Sequence, residues 1–200
     1  MSAKIGLFYG STTGKTDAIA ELIRDEFGGG RVNLHYIAET TKQDFADYSY
    51  LIIGSPTWDI GKLQSDWDAF FPQLDDIDFN GKKIAYFGLG DQIHYPYNFL
   101  DAMGILASKI TSRGGVRISS WSAKGYSFQA SKALINPESI NTKSGSKIFV
   151  ESQSIELSNG VRASFEGEFV GLAIDEDNQP EFTEERIKVW VAQIKQAMEA

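Results

Sequence analysis

The chain has 200 residues, enough for one domain with a sizeable core, and at 42% apolar and 23% charged its composition is that of a globular protein. It has no cysteine, which excludes a disulfide framework, a thiol nucleophile and thiolate ligation of metals or iron–sulfur clusters. Its two histidines, His35 and His94, are too far apart in sequence to suggest a His-rich metal site. The formal charge of −8 argues against nucleic acid, whose phosphates need a basic footprint, and for a basic protein partner. No apolar run nears the roughly eighteen residues of a membrane span. The opening "MSAKIGLFYG" runs into a strand pattern without the features of a secretory leader, so the expectation is a soluble, cytoplasmic protein.

Apolar, β-favouring runs alternate with helical patterns along most of the chain. A first strand is predicted over 4–9. A helix over 15–27 follows, with Ile19, Leu22, Ile23 and Phe27 on one face, and it stops at a Gly-Gly-Gly run that frees the backbone for a left-handed cap. A strand over 32–36, a short helix over 42–45 and a strand over 50–54 come next. A helix over 65–74 presents Trp67, Phe70 and Phe71. A fourth strand over 83–88 and a helix over 98–112 lead to a strand over 116–121. The last two elements are a strand over 169–175 and a helix over 184–198. Thr183 is the N-cap of that helix, with Glu184 and Glu185 at the positive end of its dipole. "LIIG" and "IAYFG" are continuous apolar runs, as in strands covered on both faces. The alternation predicts parallel strands with right-handed crossovers, a doubly wound α/β sheet whose ligands bind at the strands' carboxyl ends.

One region breaks the rhythm. The 122–168 stretch reads as a long insertion in a single domain spanning 1–200. Its second half, 147–168, has the pattern of a hairpin turning at Asn159-Gly160.

The loop after the first strand, "GSTTGKT", looks like a phosphate cradle. It is not a nucleoside-triphosphatase loop: only three residues separate Gly10 from Gly14 where that motif has four, and the third strand ends in Ser55-Pro56 without an acid to hold magnesium. What remains is a loop of hydroxyls (Ser11, Thr12, Thr13, Thr16) opening onto a helix N-terminus, which attracts an anion without needing an arginine. A plain Ser/Thr-rich turn capping its own helix is the competing reading of this loop alone. The loop after the third strand, "SPTWDIGKLQSDW", carries Trp58 at the ligand end of the sheet, and the loop after the fourth, "GLGDQIHYPYNF", carries Tyr95 and Tyr97. A phosphate cradle flanked by two aromatic loops suits a phosphorylated flavin, its flat ring gripped by stacking.

With "KIGLFYGSTTGKT", "YLIIGSPTWDIG", "LQSDW", "NGKKIAYFGLGDQIHY", "RGGVRISSW", "FVGLAIDEDNQ" and "RIKVWVAQIK" in order, the chain resembles the long-chain flavodoxins, most of all cyanobacterial ones. The resemblance covers about 170 residues. It implies a flavodoxin-like three-layer α/β sandwich with a five-stranded parallel sheet of order 2-1-3-4-5, for which flavodoxin is the standard illustration, and FMN at the point where strand order reverses. It further implies that Ser11, Thr12, Thr13, Gly14, Lys15 and Thr16 hold the FMN phosphate. Trp58 and Tyr95 would flank the ring, and Pro56, Thr57, Asp59, Ile60, Gly61, Leu89, Gly90, Asp91 and Asn98 would line its edge. Asp177 would approach the ribityl chain. The implied function is low-potential one-electron transfer by a monomer. Its partners would be basic redox proteins: a donor resembling photosystem I and an acceptor resembling ferredoxin-NADP reductase. An acidic surround of Asp59, Asp66, Asp68, Asp91, Asp101 and Asp177 is expected to oppose adding negative charge to the flavin.

The chain departs from its look-alikes in places. His94 stands where close relatives often have Gly and reads as an exposed loop imidazole, and Leu89 replaces a frequent hydroxyl residue. About thirty residues, 135–166, match nothing in the family pattern and read as extra to it. Their near-balanced charge contrasts with the acidic body, and they are either a surface elaboration or a partner-selecting arm. An FMN-dependent NAD(P)H:quinone reductase is the alternative function, and Trp58 over the ring speaks against it. A response regulator lacks support because Gly10-Ser11 and Gly54-Ser55 occupy the places where its acids belong.

Overall fold

The computed structural model describes residues 4–28, 30–135, 155–156, 162–163 and 167–199. In chain order, β1 (Ile5–Tyr9) leads into α1 (Lys15–Phe27) and β2 (Val32–Tyr36). Then come β3 (Tyr50–Trp58), β4 (Lys62–Leu63), α2 (Ser65–Phe70), β5 (Lys83–Leu89) and α3 (Asp101–Ser112). Five short strands follow: β6 (Val116–Arg117), β7 (Trp121–Ser122), β8 (Ile155–Glu156), β9 (Arg162–Ala163) and β10 (Glu168–Phe169). The chain closes with β11 (Leu172–Ile174) and α4 (Thr183–Glu199).

The parallel sheet runs β2-β1-β3-β5-β11. Counting only its five lanes, that is the expected order 2-1-3-4-5. The lane beyond β5 is shared: β6 pairs with Lys83 and Ile84 at one end of β5, and β11 pairs with Phe87 to Leu89 at the other. Successive side chains of a strand face opposite ways, so one sheet feeds two cores. Leu7, Ile52, Phe87 and Ile174 join Ile19 and Ile23 of α1 and Trp190 and Ile194 of α4. Phe8, Leu51, Ile53, Ile84 and Tyr86 join Trp67 and Phe70 of α2 and Met103, Leu106 and Ile110 of α3. Both faces are covered, which is why these strands read as unbroken apolar runs.

Several boundaries differ from expectation, each for a physical reason. The third strand continues from Gly54 to Trp58 because β5 and the β4 hairpin pair with its far end. The helix expected over 65–74 is α-helical only to Phe70 and then tightens into a 3₁₀ segment, Phe71–Asp76, at Pro72, which lacks the N–H to continue the ladder. The helix expected from 98 starts at Asp101, because Leu100 has φ 61 in the left-handed region. The strand expected over 116–121 splits: β6 joins β5, while β7 pairs antiparallel with β10. The strand expected over 169–175 is divided too: Phe169 belongs to β10 and pairs with Trp121, and Leu172–Ile174 form β11 against β5. Thr183, expected as an N-cap, is the first residue of α4. Most of the 135–166 segment lies outside the described residues. Of the hairpin expected at 147–168, the antiparallel pairing of β8 with β9 is described, and the turn between them is not.

The start of the long connection is anchored on α3. A Cβ on Gly104 would fall on the backbone of Lys132 and 2.6 Å from the nitrogen of Ala133. A Gly→Ala change inside a helix ordinarily stabilises by about 1 kcal/mol. Here the sign reverses: Gly104→Ala is expected to lose about 1–3 kcal/mol, the usual cost of overpacking, as measured by urea unfolding.

Candidate functional site

Beyond Tyr9 the chain turns through the hydroxyl-rich loop into α1. Gly14, the residue before the helix, has φ 83, and no side chain among the described residues caps the helix's first turn. The first N–H groups of a helix have no partner within it, so this end is built to receive an acceptor from outside. The Ser11 hydroxyl is buried, with the residue only 7% exposed, and Oγ has no hydrogen-bond partner among the described residues. Thr16 is buried as well, whereas Thr12, Thr13, Gly14 and Lys15 are exposed. Lys15 Nζ lies 2.6 Å from Asp177 Oδ1, tying this loop to the one after β11.

At the end of β3, pairing of Thr57 with Leu63 and of Trp58 with Lys62 leaves Asp59, Ile60 and Gly61 as the tip of a hairpin. Asp59 takes φ 45, a left-handed conformation that a short polar residue tolerates better than a branched one. Its carboxylate is 3.1 Å from Lys62 Nζ. Ile60 is 79% exposed. The Thr57 hydroxyl accepts from the Ala102 N–H at 3.2 Å, so it holds the start of α3. Trp58 is half-buried, and its indole N–H is buried without a partner among the described residues.

The third loop is organised by carboxylates. Asp91 Oδ1 accepts from the N–H groups of Ile93 and His94 and from Asn178 Nδ2, at 2.9–3.0 Å, and Oδ2 lies 2.7 Å from His94 Nδ1. Burial pushes the Asp91 carboxyl up, but these hydrogen bonds outweigh it and hold the group below the usual carboxylate range. His94 itself is exposed, as expected. Asp175, fully buried, accepts from Gln92 N and Nε2 and from the backbone N–H groups of Asp177 and Asn178, locking the loops after β5 and β11 together.

These loops enclose a cavity of about 350 Å³ at the carboxyl edge of the sheet, within the size range of small-molecule sites. The phosphate-type loop contributes Thr13, Lys15 and Thr16, and β3 with its turn contributes Pro56, Thr57, Trp58 and Asp59. From the third loop come Leu89, Gly90, Asp91, Tyr95 and Asn98, and Asp177 completes the expected set. Ser11, Thr12, Gly14, Ile60 and Gly61 are not on this wall. Ser11 lies buried, and Ile60 projects outward. Thr12 and Gly61 line a second hollow, of about 570 Å³, that shares Trp58 and Asp59 with the first. Glu176 lines the main cavity and was not anticipated, although its place just after a strand's carboxyl end was a usable signal. The acidic surround is narrower than expected. Asp59, Asp91 and Asp177 face the cavity together with Glu176, but Asp68 lines the second hollow and Asp66 is engaged by Tyr36 and Gln64. Asp101 is buried and paired with Lys132 at 3.2 Å.

A profile of the flavodoxin family matches residues 7–190. A flavodoxin of a Nostoc species is 52% identical over 195 residues, covering 98% of this chain and 97% of its own. One from Synechocystis is 49% identical over 198 residues, covering 98% and 99%. Among solved structures, Fusobacterium nucleatum flavodoxin bound to flavin mononucleotide superposes with a TM-score of 0.77 at 25% identity, covering 98% of both chains. Identity at this level along nearly the whole length, on top of the shared sheet order, places the chain in the flavodoxin family.

Proposed function

We propose that this protein is a low-potential one-electron carrier that binds FMN non-covalently in the 350 Å³ cavity, an electron-transfer protein and not an enzyme. One observation carries the reading: a buried Ser11 hydroxyl and an uncapped helix start, both without a partner among the described residues, adjoin a cavity lined by Trp58 and Tyr95. The chemistry fits the group. A phosphate ester only accepts hydrogen bonds, and this end of the site offers hydroxyl and amide donors that nothing else in the described chain uses. When bound, FMN supplies the redox chemistry, taking and giving electrons one at a time.

The residues divide that work. Ser11 to Thr16 hold the phosphate, with Ser11, Thr12 and Gly14 acting from beneath or behind the cavity wall. Trp58 and Tyr95 hold the ring and exclude water from it. Pro56, Thr57, Asp59, Leu89, Gly90, Asp91 and Asn98 line its edge, Ile60 and Gly61 complete the turn beside it, and Asp177 with Glu176 faces the ribityl side. Lys15 is the one basic side chain on the wall, and its partner is Asp177. Four wall carboxylates against Lys15 and, beside Asp59, Lys62 still leave a negative balance, which disfavours added negative charge by Coulomb repulsion, lowers the potential and makes the loaded protein a strong donor.

The exposed Ile60, Ile93, Tyr95 and Tyr97 cluster on the loops at this end, on a chain of net charge −8. That combination suits transient contact with basic redox proteins, of the ferredoxin-NADP reductase kind as acceptor and a photosystem I-like or other low-potential centre as donor. The same reading takes the protein as a cytoplasmic monomer; no helix among the described residues is long and apolar enough to cross a membrane. It also takes 1–200 as one domain whose fifth strand is interrupted by 122–168. The support is that β6 and β11 pair with the two ends of one neighbour.

The decisive test is titration of flavin-free protein with FMN. One equivalent is expected to bind and lose its fluorescence, and a protein that leaves FMN fluorescence unchanged overturns the proposal. Trp58→Ala and Tyr95→Ala should each weaken FMN by about ten- to a hundredfold, the worth of one stacked, buried aromatic. The Asp91 carboxyl, held low in the folded state, contributes stability that is complete above its unfolded value of about 4 and is lost as pH falls through its folded value. The urea midpoint of Asp91→Asn should therefore lie well below the parent's at pH 6, and the gap should narrow as pH falls below the unfolded value of about 4.

A further inference from the structure

Beneath the hydroxyl-rich loop lies a polar cluster that the sequence did not flag. Gln64 is only 1% exposed and sits at the start of α2, where its Oε1 accepts from the N–H groups of Asp66 and Trp67 at 3.1 and 3.2 Å. With the oxygen so committed, Nε2 can only donate. One of its protons goes to Asp66 Oδ2 at 2.7 Å, and the other is shared among Thr12 Oγ1 at 3.3 Å, Ser65 Oγ at 3.4 Å and the Ser11 carbonyl at 3.5 Å. Tyr36, at the end of β2, gives its one proton to Asp66 Oδ2 at 2.7 Å, which orients the carboxylate that Gln64 also engages, and its oxygen lies 3.1 Å from the Ser11 carbonyl. The Asp66 carboxylate, by accepting that bond, pushes the Tyr36 phenol up to about 12, so it stays a donor across the working pH range. Gly10 allows the close approach: a Cβ there would fall on the Gln64 amide and 2.7 Å from the Trp67 ring.

Two consequences follow for the loop's polarity. A Thr12 hydroxyl that accepts a proton from Gln64 must offer its own elsewhere. A Ser11 carbonyl drawn inward sends the Thr12 N–H the opposite way, because C=O and N–H are antiparallel across a trans peptide. Gln64 has one proton for these two acceptors, and whichever takes it, a donor turns outward. We infer that Gln64, assisted by Tyr36, is a positioning residue that sets this loop as a donor-only cradle and so determines the preference for a phosphorylated over an unphosphorylated flavin. The inference rests on the FMN reading above and concerns residues outside the cavity wall.

The test compares FMN with riboflavin, which lacks the phosphate, as ligands of flavin-free protein. The parent is expected to bind FMN more tightly. Gln64→Met, similar in size without the amide, should weaken FMN about tenfold or more while riboflavin stays within about twofold. Tyr36→Phe keeps Gln64 and its cap of α2 intact, and should weaken FMN about threefold with riboflavin unchanged. It carries the test if Gln64→Met does not fold. A merely structural role would lower thermal stability and weaken both ligands by the same factor, or neither, and either outcome overturns the inference while FMN binding by the parent stands. A parent that binds neither flavin overturns the underlying reading and this inference with it.

Discussion

A polar group removed from water costs free energy until it finds a partner, and that requirement organises the carboxyl edge of this sheet. Three buried side chains act there as collecting points. Asp175 gathers amides from the loops after β5 and β11. Asp101 takes the Lys132 N–H at 2.8 Å, Asn98 Nδ2 at 3.1 Å and the Lys132 ammonium, so α3, the loop before it and the connection after it meet on one carboxylate. Gln64 joins α2 to the loop after β1. Loops of irregular backbone thereby gain fixed positions without lengthening any helix or strand, and their tips stay free to form a wall.

Against that well-partnered background, the exceptions acquire meaning. Ser11 Oγ and the Trp58 indole N–H, like Arg31 Nε, Tyr86 Oη and Arg186 Nη1 elsewhere, are buried and unmatched among the described residues, and Ser11 and Trp58 lie at the carboxyl ends of the paired strands β1 and β3. Electrostatics adds a second contrast. Asp101 and Asp66 lie off the main cavity wall, whereas Asp59, Asp91, Glu176 and Asp177 line it, each with a partner of its own. Among the described residues the local field is therefore set by four carboxylates with Lys15 on Asp177 and Lys62 on Asp59, a smaller and more defined group than the overall charge suggests.

Much of this was readable in advance where local and tertiary signals agree. β1, α1 and β2 begin and end close to their expected limits, because apolar runs, a 3.6-residue stripe and a Gly-Gly-Gly stop all point the same way. Signals failed where a residue's state depends on distant partners. Pro56 looked like a strand end, yet it stands in register with Leu89. Leu100 continues a helical pattern in sequence but takes a left-handed turn. "RISSW" is a plausible single strand, but its two ends find different neighbours. At the site, most wall residues were legible because they sit just past strand ends. Gln64, Tyr36 and Asp175 were not, since nothing in an isolated Gln, Tyr or Asp announces a contact 25 or more positions away.

The divided fifth lane has an implication for how such a chain changes over time. β6 and β11 each take their register from β5, not from one another. Residues added or removed between them alter neither pairing, so the cost of a longer excursion is mainly its closure entropy, which rises only logarithmically. The seam is thus a place where new chain can be tried while the carboxyl edge of the sheet, held by its own carboxylates and amides, is left undisturbed.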